Sequence, residues 1–333
     1  MAPVSSVTEV EMLIHFGADE LYCGISTPEW EDHFKGLWWM NRRNPHHANL
    51  TSWDNIKNVV NLAHDNNVEV HLTLNSPFYT PGSRNYILKL IDKMVNYLNI
   101  DALIVSDINL LQQLCYNEFP IKLHLSSLGS CFNSYTVDFY HYLGISRIIL
   151  PRQLRAKEIY HIVHEKSNIM EFEVFAINDG CYFEEGFCQT THSFGPFCLT
   201  NYDMEFRSLN SHSSFNNINK YILKDELSNY LWYQNNCGST FQEQGLPNGP
   251  CSLCLFGHFR DWGVTSVKIA GREASFYRKC ASIQLVKSII DDVRNGLSPE
   301  SISYNAKNIR NTPNYCNSGY MCYFRDPDFD LHV

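Results

Sequence analysis

The chain has 333 residues, of which 44% are hydrophobic and 18% charged, with a formal net charge of −9. That length supports one large domain or two smaller ones, each with a substantial core. No apolar run approaches the roughly 18 residues of a membrane-spanning helix, so a membrane partner is not expected. The acidic balance disfavours nucleic acid, whose phosphates call for clustered Lys and Arg.

Apolar strand-like runs alternate with helical patterns along most of the chain. Strands are predicted over residues 1–4, 20–23, 68–74, 102–105, 122–125, 147–150, 171–176 and 266–269. Helices are predicted over residues 8–15, 53–66, 87–97, 108–118, 134–143 and 156–167, and after the eighth strand over 278–294. Thr51-Ser52-Trp53-Asp54 reads as a capping box, and Gly17 and Gly144 stand where helix C-caps belong. Regular alternation implies parallel strands with crossover helices. Eight such units predict an α/β fold, a closed (β/α)8 TIM-like barrel over residues 1–290, with a C-terminal extension over 291–333.

Two insertions break the rhythm, at residues 24–50 and 199–249. Both follow strands, so both belong over the C-terminal face of the barrel, where active sites sit. The first carries Arg42, Arg43, His46 and His47; the second contains a predicted helix over 219–233 and reads as a lid or small subdomain. Beyond Asn305 the chain reads as irregular, with Cys316 and Cys322 as a further metal or redox candidate.

Twelve cysteines and the opening MAPVSSVTEVEML, which has no basic segment followed by an apolar stretch, fit a reducing cytoplasm better than a disulfide framework. Three of them, Cys181, Cys188 and Cys198, follow the seventh strand in the pattern C-x6-C-x9-C, and PCSLC adds Cys251 and Cys254. Thiolates favour soft metals, and four of them suit zinc or an iron–sulfur cluster. Wide, uneven spacing fits a cluster better than the two short knuckles of a zinc ribbon, with zinc the rival.

The blocks FGADELYCG, VEVHLTLN, IDALIVSD, LHLSSLGSCFNS, LGISRIILPRQL, MEFEVFAINDGC and GVTSVKIAGR, in that order, resemble the collagenase-like peptidase family U32. The resemblance covers residues 1–290 outside the insertions. It implies a (β/α)8 barrel carrying a four-cysteine iron–sulfur cluster. Some members are described as proteases; others take part in oxygen-independent hydroxylation of ubiquinone precursors, tRNA or rRNA, with prephenate as the hydroxyl source. By the same resemblance the cluster ligands are Cys181, Cys188, Cys198 and Cys251, with Cys254 the alternative fourth. Many members have a histidine at the position of Ile177 and a glutamate at that of Gln153, and this chain lacks both.

Lys268 and Arg272 flank the end of the last strand, with Gly271 allowing a turn between them. Two cations there suit a carboxylate, which Arg grips in a bidentate way. The structural alternative is an ion pair with Glu273 or Asp107. Asp107 joins them as a catalytic candidate. Asn75, Ser126, Asn133 and Arg152, at the ends of earlier strands, and Arg42 and Arg43 in the first insertion are candidate substrate contacts. His124 shares the inward parity of Ser126. No G-x-S-x-G or H-E-x-x-H supports proteolysis. The activity that the resemblance implies is that of an oxidoreductase, an oxygen-independent hydroxylase or related enzyme with a 4Fe-4S cluster and a carboxylate co-substrate such as prephenate. The alternatives are a metal-dependent peptidase or peptide-modifying enzyme, and a non-catalytic partner in a heterodimer with a second U32-family protein.

Overall fold

The computed structural model describes residues 1–35, 39–43, 48–178, 224–225, 249–319 and 322–324. His46, His47, Cys181, Cys188, Cys198 and nearly all of the predicted helix over 219–233 lie outside these residues.

Eight strands form one sheet: β1 (Ala2–Pro3), β2 (Glu20–Gly24), β3 (Glu69–Leu74), β4 (Ala102–Val105), β5 (Lys122–Leu125), β6 (Arg147–Ile149), β7 (Glu171–Ile177) and β8 (Ser266–Ile269). They lie in sequence order, and every neighbouring pair is parallel. The sheet nearly closes, because the Met1 amino group donates to Val267 O at 2.7 Å and Ile269 N donates to Met1 O at 3.0 Å. The expected barrel is present.

The strand period of two separates two apolar clusters. Leu21, Leu72, Leu103, Ile148 and Phe172 point outward into the main core beneath the helices. Tyr22, Ile104, Ile149, Phe175 and Ala270 point inward with Met1 and form a separate layer inside the barrel. The helices between strands are α1 (Val10–His15), α2 (Pro28–Phe34), α3 (Trp53–His64), α4 (Pro81–Lys93), α5 (Ile108–Tyr116), α6 (Ser134–Tyr142), α7 (Ala156–Lys166) and α8 (Phe256–Trp262). After β8 come α9 (Phe276–Arg294), α10 (Pro299–Arg310) and α11 (Pro313–Ser318).

Local chemistry sets the boundaries. Ser52 caps α3 by accepting from Asn55 N at 3.1 Å, and Gly17 (φ 107°) and Gly144 (φ 78°) stop their helices in the left-handed region. Two sequence expectations need correction, and the first insertion gains a helix. The helix read over 87–97 starts six residues earlier, at Pro81, where the missing N–H of proline costs nothing in a first turn. The first insertion contains α2, whose cap Thr27 accepts from Trp30 N at 3.2 Å. The chain beyond Asn305 is not irregular: α10 continues to Arg310, because Ile302, Ala306 and Arg310 form one buried stripe at four-residue spacing. Burial of that stripe outweighs the weak helix propensity of its Asn-rich sequence.

Candidate functional site

The site lies at the C-terminal end of the strands and is built around Arg272. Gly271, at φ 109°, turns the chain directly after β8. The turn drops Arg272 into the barrel mouth, where it is only 5% exposed. Its Nη1 donates to Thr73 Oγ1 at 2.7 Å and to Asn49 Oδ1 at 3.1 Å, and its Nη2 donates to Asn41 Oδ1 at 3.1 Å. Asn41 Nδ2 in turn donates to Asn49 Oδ1 at 2.8 Å. All these acceptors are neutral, and neither Glu273 nor Asp107 forms an ion pair with Arg272. Burial brings the guanidinium down to about 10; Tyr22 opposes this most, Arg43 adds to it, and Cys23 and Glu273 oppose it further.

Lys268, on β8 four residues before Arg272, behaves differently. Its Nζ donates to Glu173 Oε1 at 2.9 Å and lies 4.0 Å over the Tyr22 ring. Burial lowers the Lys268 ammonium pKa, and Glu173 offsets part of that. Burial alone would raise the Glu173 carboxyl, but Lys268 and Arg147 outweigh it and hold it below its usual value. Lys268 thus has its counter-charge inside the barrel, whereas Arg272 is neutralised by no carboxylate among the described residues.

Other strand ends complete the mouth. Asn75 Nδ2 donates to Ser126 Oγ at 3.3 Å, and Asn75 Oδ1 accepts from Arg42 N at 3.2 Å. The Arg152 guanidinium stacks 4.2 Å from the centre of the Phe175 ring. One cavity is lined by Arg42, Arg43, Arg152, Lys268 and Arg272 together with Asn75 and Ser126, over a floor of Tyr22, Ile104, Ile149 and Phe175. Five cations and no acid line it among the described residues. Such a pocket suits an anion with an apolar body.

Nine of the sequence-derived candidates are described outside the cysteine set, and seven of them meet there. Two do not line this cavity. Asp107 caps α5, with Oδ1 accepting from Leu110 N at 2.6 Å and Oδ2 from Tyr79 N at 2.7 Å. Asn133 caps α6 at the exposed rim, accepting from Thr136 N at 2.9 Å. His124 lies deeper, ring to ring with His71 at 4.8 Å. Asn41, Asn49, Thr73 and Gly24 escaped the sequence reading. Asn41 and Asn49 sit in an insertion with no recognisable pattern, and no sequence signal marked them.

Of the cysteine set, the alternative fourth ligand Cys254 is described, in the 3-10 turn Leu253–Leu255, and so is Cys251. It bridges Ile177 at the end of β7, and Ser252 N donates to Ala176 O at 2.9 Å. The thiol is buried, which raises its pKa, and the positive charge of Arg310 opposes the rise. A buried sulfur with a guanidinium beside it fits the needs of a metal-bound thiolate.

Fold and mouth together define a (β/α)8 barrel protein with a cation-lined site at the strand C-termini. The model of Peptidase family U32 matches residues 5–329, and the chain belongs to that family. It is 25% identical over 341 residues to an uncharacterized protease of Methanocaldococcus jannaschii, spanning 98% of this chain and 73% of that protein. It is 24% identical over 329 residues to tRNA hydroxylation protein P of Helicobacter pylori, spanning 93% and 69%. A collagenase of Porphyromonas gingivalis is 26% identical over 198 residues, 56% of this chain and 43% of that protein. The solved structure of the U32 peptidase Mk0906 overlays with a TM-score of 0.42 at 13% identity, covering 56% of this chain and 73% of that one. No helix among the described residues is long and apolar enough to cross a membrane.

Proposed function

We propose that this chain is an iron–sulfur oxidoreductase that carries out oxygen-independent hydroxylation or a related redox modification, with a small carboxylate such as prephenate as co-substrate. The observation that carries the reading is Arg272, a buried guanidinium held by three neutral acceptors in a mouth lined by no acid among the described residues. A cation desolvated in this way gains most from an anionic ligand. In this reading Arg272 grips the carboxylate, Lys268 and Arg152 add field, and the Phe175 and Tyr22 rings receive the apolar body. Asn41, Asn49 and Thr73 fix the plane of the guanidinium before the ligand arrives, so little ordering is left to the binding step. The Glu173 counter-charge keeps Lys268 from competing as a second primary grip.

Cys181, Cys188, Cys198 and Cys251 would hold a 4Fe-4S cluster, with zinc the alternative metal. Such a cluster supplies one-electron chemistry. The U32 family and its hydroxylation-protein relatives support the oxidative reading; the protease and collagenase names of others keep peptide modification as the second. The cytoplasm is the compartment of this reading, and a second U32-family chain is its proposed partner. Anaerobic purification with iron, sulfide and zinc quantification tests it. About four irons per chain are expected, with prephenate binding that is lost in Arg272→Ala. Colourless protein with one tightly held zinc and no carboxylate affinity would overturn it.

A further inference from the structure

Two neighbouring helices on the outer wall of the barrel carry a face that folding leaves unused. Helix α5 buries Leu110, Leu111 and Leu114, and α6 buries Val137 and Tyr140. Their opposite faces meet solvent. Ile108, Gln112 and Tyr116 recur every four residues along α5, and Tyr135, Phe139 and Tyr142 recur at four and three along α6, so each set forms one stripe. Tyr116, Tyr135 and Tyr142 are 87%, 85% and 88% exposed, with Ile108 at 46% and Phe139 at 42%. The two stripes adjoin. Strands β4, β5 and β6 are neighbours in the sheet, so the crossover helices between them lie side by side. Cys115 Sγ meets Leu143 O where the helices end, which puts Tyr116 and Tyr142 at the same end of the face.

This face is also nearly free of charge. Helix α5 has no charged residue and α6 has one, Asp138, which Lys166 of α7 engages at 2.8 Å. The chain's charged share of 18% would place about three in two helices of nine residues each. An aromatic-rich, charge-poor patch with a paired charge at its edge has the make-up of the buried centre of a protein–protein interface. With no Lys or Arg in either helix, it offers nothing to a phosphate backbone or an anionic membrane surface. The net charge of −9 makes copies of the chain repel one another through their acidic surface. An uncharged face is the one through which two copies approach without that cost. The area suffices as well. At 150–250 Å² per aromatic side chain the three tyrosines offer about 500 Å². Ile108, Phe139 and the polar residues between them take the face to roughly the 800 Å² that each partner gives to a stable interface.

We propose that the α5/α6 face is the interface of a homodimer, covered by a second copy of this chain. A two-fold axis between Gln112 and Phe139 lays each helix pair antiparallel on its counterpart. The Tyr116–Tyr142 end of one copy then covers the Ile108–Tyr135 end of the other, and the reverse, as an isologous contact requires. The dimer needs neither the cluster nor the second family chain of the proposed function, so either reading can fail without the other.

Sedimentation equilibrium of the full chain tests the interface. Twice the chain mass is expected at micromolar concentration, and it should persist in about 1 M salt, because no ion pair holds the contact. Tyr116→Glu/Tyr142→Glu should raise the dissociation constant about 100-fold or more, as loss of central aromatic anchors does. Tyr277→Glu, at a tyrosine of α9 that is 80% exposed, should keep the dimer. Should the charged double variant fold poorly, Tyr116→Ser/Tyr142→Ser decides, with a rise of about tenfold or more. A monomeric wild type would overturn the proposal and leave the face to another protein or to a further segment of this chain. A dimer untouched by a folded double variant would overturn it by placing the contact elsewhere. Masses that grow past two chains would overturn the two-fold arrangement.

Discussion

Gly24 and Arg272 are packed so closely that no side chain fits between them. A Cβ at Gly24 would stand 1.8 Å from Arg272 Nη1 and 2.0 Å from Asn49 Oδ1. The backbone at Gly24 is ordinary extended strand, so space rather than conformation requires glycine. Gly24→Ala should therefore push the guanidinium off its acceptors. Overpacking of this kind costs about 1–3 kcal/mol of stability, and carboxylate affinity should fall at least tenfold. Calorimetric titration with prephenate and a thermal melt check both; a variant matching the wild type in each would show that the mouth has slack.

Arg272→Lys tests whether charge alone suffices. An ammonium cannot reproduce the fork that meets Thr73, Asn49 and Asn41. Arg272→Lys should recover little of the binding lost in Arg272→Ala, where truncation of a buried charged partner costs roughly 2–5 kcal/mol. Near-complete recovery in the titration would reduce Arg272 to a point charge.

Glu173 carries the burden of keeping Lys268 charged inside the barrel. Glu173→Gln leaves Lys268 and Arg147 facing a neutral amide, and breaking a buried pair in this way destabilises by about 3–5 kcal/mol. Chemical denaturation of Glu173→Gln, Lys268→Met and the double variant should show losses well short of additive. Additive losses would mean that the two side chains act independently.

His124 sets a pH window. Burial, then His71 and Arg147, holds its imidazole pKa well below the usual 6.5. The unfolded chain takes up this proton near 6.5 and the folded chain does not, so stability is full above that pH and falls as the pH drops. The slope is up to about 1.4 kcal/mol per pH unit. The depressed carboxyls of Glu20 and Glu173 join only below about 4.5, the ordinary carboxylate range. His124→Leu should flatten the denaturation midpoint between pH 6.5 and 4.5, partially because His258 is depressed by burial as well. An unaltered pH profile would place the acid sensitivity elsewhere.

The sequence alone determined the barrel. Its order of strand and helix was legible because parallel strands buried on both faces read as short apolar runs, and three of them, at 102–105, 122–125 and 266–269, have the predicted bounds. Lys268, Arg272, Arg152, Asn75 and Ser126 were legible as lining of one cavity because strand ends in such a barrel face one mouth. What the sequence could not assign was the division of labour. Lys268 and Arg272 are four residues apart and look alike on paper. Tertiary structure alone set Glu173 against one, and Asn41, Asn49 and Thr73 against the other, by bringing together residues up to 231 positions apart. The same holds for the thiols: Cys322 lies 71 residues from Cys251 in the chain and beside it in space. Pairing at that separation is decided by how α10 and α11 pack on the barrel, because chain spacing fixes only local geometry, whereas contact between distant residues depends on burial of the faces that carry them.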